Sequence, residues 1–92
     1  MTHVLFYVSS SDVATKAPAH FAEHKARIDV FHGRGVLVGI GLFADPQRDG
    51  AMALFTTRKA AEEFATDDPF VTNGVVESWH IKEWNDIFAV PG

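Results

Sequence analysis

Apolar side chains recur every second residue near the N-terminus and every third or fourth soon after, so the chain opens as a strand followed by a helix. His3 to Ser9, rich in Val, Phe and Tyr, reads as the strand. Ser9-Ser10-Ser11-Asp12 is polar punctuation. A helix is expected from about Pro18 to His32, with Ala17, Phe21, His24, Ile28 and Phe31 on one stripe. Lys16, Glu23, Lys25, Arg27, Asp29 and His32 mostly lie off that stripe. Pro18 suits a first helical turn, where no N–H is needed, and Gly33 and Gly35 suit the stop. Val36 to Phe43 reads as a second strand and Ala51 to Thr56 as a third, separated by a turn-rich loop from Asp45 to Gly50. A second helix, about Arg58 to Thr66, turns Ala60, Ala61, Phe64 and Ala65 inward. Asp67-Asp68-Pro69-Phe70 breaks it, and after Asn73-Gly74 a last strand runs from Val75 to Trp84.

The order β-α-β-β-α-β predicts an α+β, ferredoxin-like fold, with a four-stranded antiparallel sheet and both helices on one face. Yet the strands read as apolar on both sides. Val4, Phe6 and Val8 oppose Leu5 and Tyr7; Val36, Val38 and Ile40 oppose Leu37 and Phe43. In the last strand Val75, Trp79 and Ile81 oppose Val76, His80 and Trp84. A bare face carrying so much hydrocarbon would be an unusually large exposed patch. A homodimer joined sheet to sheet, a dimeric α/β barrel, is the expected solution.

The length of 92 residues fits a single domain, 1–92. Hydrophobic residues make up 47%, with eight Phe, so the chain is globular and not disordered. No apolar run approaches the roughly 20 residues of a membrane span, and no membrane partner is expected. Met1-Thr2-His3 lacks the basic residues and apolar run of a signal peptide, so a cytoplasmic location is the expectation. The absence of cysteine excludes disulfides, thiolate catalysis and Cys-based metal sites. A net charge of −4 and scattered Lys and Arg argue against nucleic acid as a partner.

His24 stands on the helix stripe where a hydrophobic residue belongs. An imidazole there must find a partner or line a cavity, because an unpaired polar group in apolar surroundings is costly. It exchanges protons near neutral pH, which makes it the best lead to chemistry. Asp68, before Pro69, suits the N-cap of a short turn. No Ser or Thr is placed as a nucleophile, which favours proton transfer over acyl transfer. His20-Phe21-Ala22-Glu23-His24 spells the inverted zinc-protease signature. However, Glu23 lies off the stripe and nothing picks out a third ligand, although Asp68 or Glu77 could be argued. No metal and no cofactor are therefore expected. A haem- or quinol-handling monooxygenase would need His20, His32 or His80 as ligand, and no spacing singles one out.

From His24 it is eleven residues to Gly35 and six more to Gly41; Asp68-Pro69-Phe70 and then Gly74 follow the second helix. This ordered set resembles the YCII-related family over nearly the whole chain. The resemblance implies a ferredoxin-like fold, dimers of the α+β barrel type and a His–Asp pair in a pocket. One branch of that fold removes chloride from a chlorinated hydroxyhydroquinone. Carried over, His24 would be the general acid/base and Asp68 would orient it, with Gly41, Phe70 and Tyr7 binding substrate. The implied function is lyase- or isomerase-type acid/base chemistry on a small, aromatic or quinoid, substrate. The alternative is a non-catalytic dimeric module that binds a ligand or serves a structural role. The chain departs from the family after Gly41, carrying Leu42 where many relatives have Pro.

Overall fold

The computed structural model describes residues 1–88, so the last four positions of the expected 1–92 domain lie outside the described residues. Strand β1 (Thr2–Ser9) is followed by helix α1 (Val13–Gly33), strand β2 (Leu37–Leu42), a short helix α2 (Pro46–Asp49) and strand β3 (Ala51–Phe55). Helix α3 (Arg58–Asp67), a short helix α4 (Pro69–Thr72) and strand β4 (Val76–Trp84) complete the chain. The strands form one antiparallel sheet in the order β2-β3-β1-β4, the ferredoxin-like arrangement. Helices α1 and α3 pack on one face of it.

The core follows from strand alternation and the two helical stripes. Leu5 and Tyr7 of β1, Ala53 and Phe55 of β3 and Leu37 of β2 meet Phe31 of α1 and Ala60, Ala61, Phe64 and Ala65 of α3. Phe31, Phe55 and Phe64 form a tilted aromatic cluster with centroids 5.2–6.5 Å apart. The small residues of α3 let it lie close to the sheet, and Thr57 caps it by accepting the Ala60 N–H. Arg27, expected off the core stripe, is half-buried instead. Its guanidinium donates to the carbonyls of Glu63 and Phe64 and lies over the Phe31 ring, joining α1 to α3.

Several local features differ from the sequence expectation. Helix α1 begins at Val13, not near Pro18, because the Asp12 carbonyl already accepts N–H groups from Thr15 and Lys16. Pro18 therefore sits inside the helix, where it forfeits one backbone bond. The turn-rich loop contains α2, capped by Asp45, whose carboxylate accepts the Arg48 N–H. Two irregularities in strand pairing shift the side-chain phase. One, between Leu37 and Gly39, puts Ile40 opposite Ala53, on the same face as Leu37. The other, at Val8/Ser9, brings Val76 into the core beside Val75 instead of opposite it.

Phe6, Val8, His80 and Trp84 occupy the sheet face that carries no helix. Val8, at 40% exposure, and Trp84, at 49%, leave hydrocarbon open there. Among the described residues no helix is long and apolar enough to cross a membrane.

Candidate active site

The N-terminal half of α1 stands off the sheet, and a cavity of about 540 Å³ fills the gap. Its walls come from α1, from the inner side of β1, β2 and β3, and from the segment around α2. This explains why the expected helix stripe is not uniformly packed. His24 and Phe31 are buried, whereas Phe21 lines the cavity and remains 55% exposed.

His24 and Asp68, 44 positions apart, meet beside this cavity. The His24 Nδ1 lies 2.8 Å from one Asp68 carboxylate oxygen and 3.0 Å from the other. Asp68 is fully buried and His24 is 8% exposed. Asp68 also accepts the Tyr7 hydroxyl at 2.6 Å and the Phe70 backbone N–H at 3.1 Å. Three donors thus converge on two oxygens, a pattern satisfied by a carboxylate, which only accepts. The Phe70 bond is the N-cap of α4 that Asp68-Pro69 announces in the sequence. A single side chain therefore starts a helix and holds the histidine.

The donor assignment fixes the imidazole. Facing a carboxylate, Nδ1 carries a hydrogen and donates it, so in the neutral ring the lone pair lies on Nε2. Among the described residues Nε2 has no hydrogen-bond partner, and His24 lines the cavity. The ring is further held by Phe70, stacked at 3.8 Å with only 8° between planes, and by the edge of Phe64. Burial first, and then the Asp68 charge and the hydrogen bond to it, push the Tyr7 hydroxyl far above the ordinary phenol range. It therefore stays a donor to Asp68.

Of the sequence-expected residues, His24, Gly41, Phe70 and Tyr7 all line the cavity, while Asp68 sits behind them without lining it. Tyr7 presents its ring to the cavity and commits its hydroxyl to Asp68. A Cβ at Gly41 would meet nothing within 4 Å, so space alone does not demand glycine there. Leu42 keeps its strand pairing with Ala51 and lines the cavity edge at 75% exposure. In the H-x-x-E-H stretch Glu23 is exposed and the His24 Nδ1 is turned to Asp68. Sequence reasoning misses the wall formed by Ser9, Pro46 and Gln47. The Ser9 hydroxyl donates to the Pro46 carbonyl and the Gln47 amide to the Ser11 carbonyl, tying the α2 segment to the start of α1. Gly50 lets that segment approach β1: its φ is 74°, and a Cβ there would lie 1.9 Å from the Tyr7 carbonyl oxygen.

A family model described as the YCII-related domain matches residues 1–85. No curated protein matches the chain. Among solved structures, it is similar to the 5-chloro-2-hydroxyhydroquinone dehydrochlorinase of Burkholderia phenoliruptrix, determined in complex with 2,5-dihydroxybenzoquinone. The TM-score is 0.66 over 92% of this chain and 94% of that one, at 15% sequence identity, which is a likeness of fold.

Proposed function

This chain belongs to the YCII-related domain family, and from that premise we propose that it is a small enzyme of lyase or isomerase type. His24 is its general acid/base, and Asp68 is the residue that positions it. The observation that carries this reading is the division of labour on one ring: Nδ1 is held by a buried carboxylate, while Nε2 is left open beside a cavity. In the forward step the Nε2 lone pair takes a proton from an acidic C–H or O–H of the substrate. The released electron pair moves into the substrate's carbonyl or forms a new double bond. In a lyase the leaving group departs with the electrons of its bond to carbon and the imidazolium passes its proton to that group or to water; in an isomerase the imidazolium returns the proton at another carbon. The Asp68 carboxylate stabilises the transient imidazolium and keeps the ring from turning. Tyr7 keeps the second carboxylate oxygen in place.

Gly41, Phe70 and the Tyr7 ring are the substrate-facing surfaces in this reading, and an aromatic or quinoid ring would stack within such walls. The fold neighbour's bound dihydroxybenzoquinone supports a substrate of that general size. The working form is a homodimer through the helix-free sheet face, supported by the exposure of Val8 and Trp84 there. Replacing both with Lys should turn a sedimenting dimer into a monomer; an unaltered dimer would place the interface elsewhere.

Proton abstraction can be tested on generic carbon acids before the natural substrate is identified. Ring ketones and quinols in deuterated water should exchange their acidic C–H hydrogens faster with the protein than without it. His24→Ala should reduce that rate by about 10²–10⁴-fold while the dimer persists. Exchange unchanged by the substitution would end the catalytic reading.

A further inference from the structure

The polar inventory of the cavity restricts what can enter it. We propose that it takes a neutral ligand with an apolar body and one hydrogen-bond donor directed at His24 Nε2, and that it rejects carboxylates and phosphates. This rests on the reading of the cavity as the substrate site.

The chain has eight Lys and Arg, and none lines the cavity. Lys16, Lys25, Arg34, Arg48 and Arg58 pair at the surface with Asp12, Asp29, Glu63, Asp49 and Glu62. Arg27 is taken by carbonyls of α3, Lys59 is exposed on α3, and Lys82 lies over Phe6 on the helix-free face. An entering anion would meet no lysine or arginine there. It would meet an acidic residue, Asp45, in the same wall.

The remaining polar groups are largely spent. The Tyr7 hydroxyl donates to Asp68, the Ser9 hydroxyl to Pro46 and the Gln47 amide nitrogen to Ser11. What is left on the side chains is mostly accepting: the ring nitrogen Nε2 in its neutral form, the Gln47 amide oxygen and the Asp45 carboxylate, with one Gln47 N–H as the remaining donor. A ligand rich in acceptors would therefore lose its hydration without replacement, which costs affinity for neutral groups and far more for charged ones. Leu5, Phe21, Ile28, Ile40, Ala53 and Val75 supply the rest of the wall, and they reward hydrocarbon. The volume of about 540 Å³ falls in the usual range for small-molecule sites and admits a body larger than one six-membered ring.

Three probes with one ring system separate charge from shape: 2-naphthol, methyl 6-hydroxy-2-naphthoate and 6-hydroxy-2-naphthoate. Binding is read by titration calorimetry, and engagement of His24 by the ¹⁵N resonance of Nε2. Both neutral probes should bind and shift that resonance, with the carboxylate at least ~30-fold weaker than its ester. Leu42→Lys, which adds an ammonium at the cavity edge, should narrow that gap. A carboxylate within about threefold of the ester, or no binding of either neutral probe, overturns the proposal. Tight carboxylate binding that moves the His24 resonance overturns it and leaves the proton-transfer reading standing. Selective neutral binding that leaves His24 unmoved overturns both.

Discussion

Two imidazoles in this protein stack on phenylalanines, one on each face of the sheet, and only one of them is held by a buried carboxylate. His24 lies on Phe70 at 3.8 Å, and His80 lies on Phe6 at 5.0 Å. Stacking of this kind contributes about 0.5–1.5 kcal/mol and aligns a ring without activating it. The difference lies behind the ring. His24 is buried against a fully buried carboxylate, whereas His80 is exposed, and the charge beside its stacking partner is the ammonium of Lys82. Burial with one fixed partner settles the tautomer and leaves one nitrogen to act. Among the described residues nothing hydrogen-bonds the His80 ring, so nothing sets its tautomer. The same residue type thus becomes a candidate catalyst only where the fold supplies a carboxylate and a hollow together.

Removing the carboxylate should produce the largest effect. Asp68→Ala strands the Tyr7 hydroxyl, the Phe70 N–H and the His24 Nδ1–H in a buried setting. Urea unfolding should register a loss of about 3–5 kcal/mol; a loss below about 1 kcal/mol would mean that the three donors find other partners. Tyr7→Phe removes one of those bonds and should cost about 1–2 kcal/mol. Tyr7 also carries a pH signature. Its folded-state pKa is raised, so its stabilising contribution is complete below the ordinary phenol range. Above about pH 10 the unfolded chain releases the phenolic proton and the folded chain retains it, so stability falls as pH rises. Because Tyr7 is the one tyrosine, phenolate absorbance should appear only as the protein unfolds, and Tyr7→Phe should flatten the alkaline loss of stability. Phenolate absorbance in the folded protein near pH 10 would contradict the buried Tyr7–Asp68 bond. The smallest effect belongs to the other ring. His80→Ala removes the stack on Phe6, should cost about 0.5–1.5 kcal/mol, and should leave the His24 ring signals where they are; a displaced His24 signal would show that the two faces communicate.

Much of this architecture is legible in the sequence. The strand and helix periods predict β-α-β-β-α-β correctly, and Ala60, Ala61, Phe64 and Ala65 are the buried face of α3. His24 stands out because it interrupts an apolar stripe, and Asp68 because Asp-Pro announces a helix start. Their meeting is not written in either signal; it comes from tertiary packing, and only the family resemblance implies it. The Tyr7–Asp68 bond is hidden for a related reason: alternation along β1 assigns Tyr7 to a face but says nothing of how deep its hydroxyl reaches. Strand irregularities defeat the face assignments of Ile40 and Val76, since one extra residue reverses the phase. The α2 segment reads as a plain loop because a four-residue helix leaves little periodic trace.

The most direct test of the account is a ¹H–¹⁵N correlation spectrum of histidine-labelled protein that resolves the two nitrogens of His24. The pairing predicts that the ring in its neutral form carries its hydrogen on Nδ1 and not on Nε2, and that Asp68→Asn loses this preference. A neutral ring with its hydrogen on Nε2, or a spectrum indifferent to Asp68→Asn, would contradict it.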